Sequence, residues 1–211
     1  MSHLGKVLIL AGTRKKIITS DSEIPRPLVK FNNNFTVIDR MVNMLIKIGY
    51  DFEDVYVVIN DNILWQTKFS LRDKIPKKNV IITINSSIKS NMHTFFTGLD
   101  KIKKDLNVED KTEILIIDGD LLIESRIIDH FSKNDLHNTI GLRRRAFFTE
   151  EIEYKFDSQK NKFSFSEGLS RVQNKVFAGI SKFYIDDLIR IYEKSNKEIN
   201  HKLYSNYIQF V

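Results

Sequence analysis

Two short stretches of this 211-residue chain carry residue types suited to chemistry on phosphate. The first is Asp118-Gly119-Asp120, which ends the continuous apolar run Ile114 to Ile117. Two closely spaced carboxylates at the end of a buried-type strand invite a hard divalent cation. Mg²⁺ takes one or two protein carboxylates and fills its shell with phosphate oxygens and water. The triplet also reads as a plain turn, since Asp and Gly are common turn residues. Asp118 could equally cap the loop while Asp120 does the binding. The second stretch follows the apolar run Val7 to Leu10: a small-residue turn, Ala11-Gly12-Thr13, then Arg14, Lys15 and Lys16, with Arg26 and Lys30 further on. Backbone with little or no Cβ can approach a phosphate closely, and Arg or Lys supplies the counter-charge. Taken alone, this stretch is equally a solvated basic loop. Its single glycine makes neither a dinucleotide fingerprint nor a P-loop.

The surrounding elements decide whether the two stretches can meet. Apolar spacing predicts strands over Lys6–Leu10, Val55–Ile59, Val80–Ile84 and Ile114–Ile117, each nearly continuous and thus buried on both faces. Between them, helical spacing covers Phe35–Ile48, with Thr36 as N-cap, Asp39 in the first turn and Gly49 as the stop. Further helices are read over Trp65–Lys74, Asn91–Asp105, Leu121–Phe131 and Ile185–Ser195, where Asp186 and Asp187 sit in the first turn. Asn138–Arg145 and Val176–Phe183 read as strands, the latter interrupted by Gly179. Glu151–Phe156 and Lys162–Phe165 read as a hairpin. This alternation predicts an α/β fold, a three-layer α/β/α sandwich with a mostly parallel (mixed) central sheet, in one domain over residues 1–211. Ligands of such sheets bind beyond the carboxyl ends of the strands, and both stretches fall on that edge. Pro25-Arg26-Pro27 holds two of the three prolines and is the stiffest non-helical piece of the chain.

Composition narrows the function. Hydrophobic residues make up 42% and charged residues 28%, ordinary values for a soluble globular protein. No apolar run approaches the roughly 18 residues of a membrane span, and Val7–Ala11 is too short for a signal-peptide core. Cysteine is absent, which excludes thiolate chemistry and disulfides and fits a reducing cytoplasm. The net charge of +6 fits either a Lys/Asn/Ile-rich composition without function or an anionic substrate such as a nucleotide. The basic residues are scattered without aromatic interleaving, so nucleic acid is not expected as a partner. The five histidines do not cluster, which argues against a zinc site.

Together the two stretches resemble the nucleotidyltransferases of the sugar-phosphate type, with their GT-A-like, Rossmann-like fold. That family opens with a strand, a Leu-Ala-Ala-Gly-x-Gly-x-Arg loop and a Pro-Lys-Pro-Leu segment. Here those places hold Leu10-Ala11-Gly12-Thr13-Arg14 and Pro25-Arg26-Pro27-Leu28. Ile38-Asp39-Arg40, Gly49 and Gly119-Asp120 match later family positions. Asn91-Met92-His93-Thr94 resembles the base-contacting Asn-x-x-Ser-Leu segment of the small CTP:phosphocholine cytidylyltransferases. The resemblance implies that Leu10, Ala11, Gly12, Thr13, Arg14, Asn91, Thr94 and Asp118 bind the nucleotide, that Arg14 and Arg26 are catalytic, and that Asp120 holds Mg²⁺. It implies transfer of a nucleoside monophosphate from an NTP, CTP favoured, to a small phosphorylated acceptor such as a sugar-1-phosphate or phosphocholine, with release of pyrophosphate.

Three places depart from the family pattern. The loop has one glycine in place of two. Arg26 replaces the lysine of Pro-Lys-Pro, a planar fork in place of a compact ammonium. A second metal-binding carboxylate has no counterpart near Tyr207-Ile208-Gln209-Phe210-Val211. Two other readings therefore stay open: a nucleotidyltransferase-like module that binds nucleotide weakly or not at all, and a glycosyltransferase using Asp118-Gly119-Asp120 as an Asp-x-Asp motif. Arg143-Arg144-Arg145 reads as a solvated turn in preference to an acceptor-phosphate edge, and Trp65 as a packing residue in preference to a ligand face. His93 could reach a ligand or simply sit at a helix N-terminus. Tyr154, Phe156, Phe163 and Phe165 could line an acceptor pocket or the face of a homodimer, between which alternation does not choose.

Overall fold

Strand β1 (Lys6–Leu10) sits at the centre of an eight-stranded sheet because its side chains are apolar on both faces. Val7 and Ile9 point into one core with Ala11, while Leu8 and Leu10 point into the other. The structure, a computed structural model, describes residues 4–12, 16–18, 23–30, 35–83, 91–105, 112–134, 138–144, 152–157, 162–167 and 175–195.

Helix α1 (Val37–Ile48) follows the short hairpin β2 (Lys16–Ile18) and β3 (Glu23–Pro25). Next come β4 (Val55–Asn60), α2 (Leu64–Lys68), β5 (Val80–Thr83), α3 (Asn91–Asp105), β6 (Glu113–Asp118) and α4 (Ser125–Lys133). The chain continues through β7 (Thr139–Arg144), β8 (Ile152–Asp157), β9 (Lys162–Glu167), β10 (Lys175–Tyr184) and α5 (Ile185–Ser195).

The sheet is mixed, with strand order β5-β4-β1-β6-β10-β8-β9 and with β7 also paired to β10. Its parallel part is β5-β4-β1-β6. From β10 outward every pairing is antiparallel. One face packs against α1, α2 and α4, the other against α3 and α5. The expected three-layer architecture follows directly, because a strand apolar on both faces needs a helix layer on each.

Local chemistry sets the boundaries. Thr36 caps α1 as expected, and its Oγ1 accepts from Asp39 N at 3.3 Å. Asp39 Oδ2 accepts in return from Thr36 N at 3.2 Å, a complete capping box. Gly49 ends the helix in the left-handed region at φ 120°, the conformation a helix stop asks of glycine. Thr36→Ala is expected to cost about 1 kcal/mol, lowering Tm by about 2–4 °C for a chain of this size, measurable by thermal unfolding. At the other end of α1, the Tyr50 hydroxyl donates to Ser132 Oγ at 3.1 Å and Ser132 Oγ donates to Ile128 O at 2.8 Å, tying α4 to α1. Burial pushes the Tyr50 phenol up to about 12, so it remains a donor across the physiological range.

Two expected helices differ from the sequence reading. The one placed over Trp65–Lys74 covers only Leu64–Lys68. Trp65 Nε1 donates to Asn60 Oδ1 at 2.8 Å, and Leu71 N donates to Asp39 Oδ1 at 3.0 Å. These tertiary bonds draw the chain off the helical path at Phe69, whose backbone is extended. Trp65 is buried and stacks edge-on against Phe69, the packing role expected of it. The helix placed over Leu121–Phe131 begins only at Ser125. Ahead of it, Arg40 Nη1 donates to Ile123 O at 2.8 Å and Ile123 is buried, which holds this segment extended. The hairpin β2–β3 lies inside a stretch read only as a loop.

Candidate functional site

The parallel strands β1 and β6 run in register, Leu10 beside Asp118, so the turns that follow them emerge side by side on the carboxyl edge. Beyond β1 the chain stays locked to its neighbours. Ala11 N donates to Val58 O at 2.8 Å, and on the other side Gly119 N donates to Leu10 O at 2.9 Å. Ala11 and Gly12 are buried. A Cβ placed on Gly12 would lie 3.2 Å from Thr83 Oγ1 and 3.1 Å from Thr94 Cγ2. Gly12 thus sits closely between the end of β5 and the first turns of α3, where an added Cβ would ask two threonine side chains to give by a few tenths of an ångström.

Thr83 Oγ1 donates to Ile59 O at 3.0 Å, which fixes that wall. Thr94 is 2% exposed, and its Oγ1 is buried without a hydrogen-bond partner among the described residues. A buried hydroxyl left unpaired is costly and uncommon, and this one lies beside the turn that sequence reading assigned to nucleotide.

Arg26 reaches the same edge from the opposite side. The β2–β3 pair delivers the chain to buried Pro25, and a single tight helical turn follows over Arg26–Leu28. Pro27 and Leu28 are buried beneath it, so Arg26 projects from a stiff, anchored corner. Its Nη1 lies 3.7 Å from Asp120 Oδ2, with side-chain exposures of 47% and 29%. An ion pair this exposed and this long contributes little stability. What it records is placement: the cation of the Pro-Arg-Pro segment and the carboxylate of the acidic turn face one another.

Of the residues proposed from sequence, Leu10, Ala11, Gly12, Thr94, Asp118, Asp120 and Arg26 come together on this edge. Thr13 and Arg14 lie outside the described residues. Asn91 opens α3, and its side chain is likewise outside them, as are those of Arg143 and Arg144 and all of Arg145. Asp186 and Asp187 open α5 as expected, and Asn138 Nδ2 donates to Asp187 Oδ2 at 3.0 Å.

Sequence reading gave three supporting residues no positioning role. Thr83 carried no signal beyond ending a strand. Arg40 was visible only as part of Ile38-Asp39-Arg40. Gly119 was read as turn chemistry and as half of the family's Gly-Asp pair; the structure adds a steric requirement. A Cβ there would fall 2.7 Å from Ala11 Cβ and 2.9 Å from Ala11 Cα.

The donor set fits a hard divalent cation. Asp118 and Asp120 are carboxylates at one strand end, Asp120 is reachable from solvent, and Mg²⁺ needs only one or two such groups when phosphate completes its shell. Among the described residues no group of three or more His, Asp or Glu forms a preassembled metal cage.

No protein-family model and no curated protein sequence matches the chain. Solved structures do. The chain is similar to the inositol-1-phosphate CTP transferase from T. maritima at TM-score 0.67 and 13% identity, covering 99% of this chain and 81% of that one. It is similar to the CTP:phosphocholine cytidylyltransferase LicC from Streptococcus pneumoniae at TM-score 0.67 and 14% identity, covering 98% and 84%. HddC from Yersinia pseudotuberculosis, in a complex with GMP-PN, matches at TM-score 0.54 and 14% identity over 95% and 83%. These likenesses establish the fold: the chain shares the α/β architecture of these three proteins, as the opening motifs led us to expect. Among the described residues no helix is long and apolar enough to cross a membrane.

Proposed function

We propose that this chain is a nucleotidyltransferase that moves a nucleoside monophosphate from an NTP, with CTP favoured, to a small phosphorylated acceptor. The observation that carries the reading is the convergence of Arg26 on Asp120, 3.7 Å apart, beside the buried Ala11–Gly12 turn. A cation and a carboxylate facing one another at the edge of a close-approach backbone turn are the parts needed to hold a triphosphate. The preference for CTP is supported by the printed names of two structural neighbours, a CTP transferase and a cytidylyltransferase.

In this reading a phosphate-monoester oxygen of the acceptor attacks the α-phosphorus in line. The new P–O bond forms as the bond between the α-phosphorus and the bridging oxygen breaks, and pyrophosphate leaves. Arg26 balances the charge that builds on the α-phosphate oxygens. The Ala11–Gly12 turn, held between β4 and β6, keeps the nucleotide's position fixed, since such transfers rely on placement and charge neutralisation more than on proton transfer. Asp120, with Asp118 beside it, would hold Mg²⁺, which supplies neutralisation of phosphate charge when bound. The single-glycine loop and Arg26 in place of lysine are compatible with this arrangement: Gly12 still provides the close approach, and arginine offers phosphate a bidentate fork.

The test is pyrophosphate release with CTP, UTP, ATP and GTP in Mg²⁺, each against a panel of sugar-1-phosphates and phosphocholine. Turnover with at least one pair, highest with CTP, is expected. No pyrophosphate from any pair, together with no NTP binding by calorimetry, overturns the enzyme in favour of a non-catalytic module. Sugar transfer from a nucleotide-sugar without pyrophosphate makes it a glycosyltransferase.

A further inference from the structure

Besides Asp120, the acidic turn contains a second carboxylate, Asp118, which lies against the neighbouring strand β10. Strand β10 runs antiparallel to β6 with Ile180 beside Ile117, which brings Gly179 opposite the start of Asp118-Gly119-Asp120. At this point β10 is irregular. Its register with β7 slips between Phe177 and Ser181, and Gly179 adopts φ +77°. A Cβ on Gly179 would stand 2.9 Å from Asp118 Oδ2 and 2.7 and 3.1 Å from the two terminal methyls of Leu121. Asp118 and Leu121 belong to one turn, closed by Leu121 N donating to Asp118 O at 3.3 Å. The carboxylate therefore lies against bare backbone, in space that any other residue at 179 would fill.

We propose that Gly179 is a positioning residue: the left-handed bulge of β10 makes the berth in which the Asp118 carboxylate lies, and thereby directs Asp118 at the bound nucleotide. The two carboxylates of the turn are thus set by separate devices. Arg26 faces Asp120, and the backbone of β10 directs Asp118. The nucleotide part of this inference rests on the function proposed above; the berth does not. A glycine inside a strand often marks a bulge or a close approach of something to its backbone. Here both occur at once, and what approaches is a residue of the site.

The experiment combines calorimetry with crystallography on the full chain. CTP binding in Mg²⁺ is measured for wild type, Asp118→Ala, Gly179→Ala and the double variant. Each single change is expected to weaken CTP by about tenfold, with the double no weaker than Asp118→Ala, because Gly179 acts through Asp118. Independent, additive losses overturn the proposal. So does recovery of CTP affinity in Gly179→Ala/Leu121→Ala, which would assign the effect to Leu121 packing. Gly179→Asn serves where Gly179→Ala folds poorly, since asparagine tolerates φ > 0 while still carrying a Cβ. Crystal structures of wild type and variant give a readout independent of nucleotide. A displaced Asp118 carboxylate supports the berth, and an unmoved one overturns it. A wild type that binds no NTP would defeat the proposed function, and the crystal structures would still decide the berth.

Discussion

Asp120→Ala is expected to lower the rate of pyrophosphate release by at least about 100-fold, the loss seen when one preorganised electrostatic stabiliser is removed from a transferring group. Its Tm should stay within about 2 °C of wild type, since a substitution of a partly exposed side chain away from the core changes stability by roughly half a kcal/mol or less. The combination separates a functional role from a structural one. Asp120 forms one long, partly exposed ion pair with Arg26, and pairs of that kind contribute little to folding. Its removal leaves Arg26 without a counter-charge at the place where phosphate is to bind. The variant should accordingly bind nucleotide less dependently on Mg²⁺, while its fold is intact. Pyrophosphate release within threefold of wild type would defeat the role assigned to Asp120. Steady-state turnover and thermal unfolding on the same preparation decide between these outcomes.

Gly119→Ala should do the opposite: it should damage the fold and the site together. The added methyl would meet Ala11 Cβ at 2.7 Å, Ala11 Cα at 2.9 Å and Leu10 O at 3.1 Å. Two of these three atoms are backbone, and that backbone is pinned from both sides by Ala11 N to Val58 O and Gly119 N to Leu10 O. No rotamer change can relieve the contact, so β1 and β6 must part at their carboxyl ends. A cost of about 2–3 kcal/mol follows from overpacking of this kind, or about 4–12 °C in Tm. The same separation moves Asp118 and Asp120 away from the Ala11–Gly12 turn, so CTP binding should fall below detection in calorimetry. An unchanged Tm would show that the strand ends are softer than their hydrogen bonds indicate. Gly12→Ala offers the contrast. Its nearest contacts, at 3.1 to 3.3 Å, are threonine side-chain atoms, which need to give by only a few tenths of an ångström.

The amino-acid sequence by itself determined the layers, the capped ends of α1 and the edge on which the site lies. Those features are local or follow from direction alone. A strand apolar on both faces must be covered twice, a Thr-x-x-Asp start and a Gly stop bound a helix wherever it packs, and parallel strands share one carboxyl edge. Only the tertiary structure decided which residues meet there. The early end of α2 depends on Asp39 reaching Leu71, and the late start of α4 on Arg40 reaching Ile123. The facing of Arg26 and Asp120, and the steric need for glycine at 119 and 179, each join segments far apart in the chain. Periodicity records which face of an element is apolar. It carries no information on cross-strand register or on how closely two backbones pass, because the packing of the whole sheet sets those distances. The sequence thus marked the two stretches, and the register of β1 with β6 set the turns that follow them side by side on one edge.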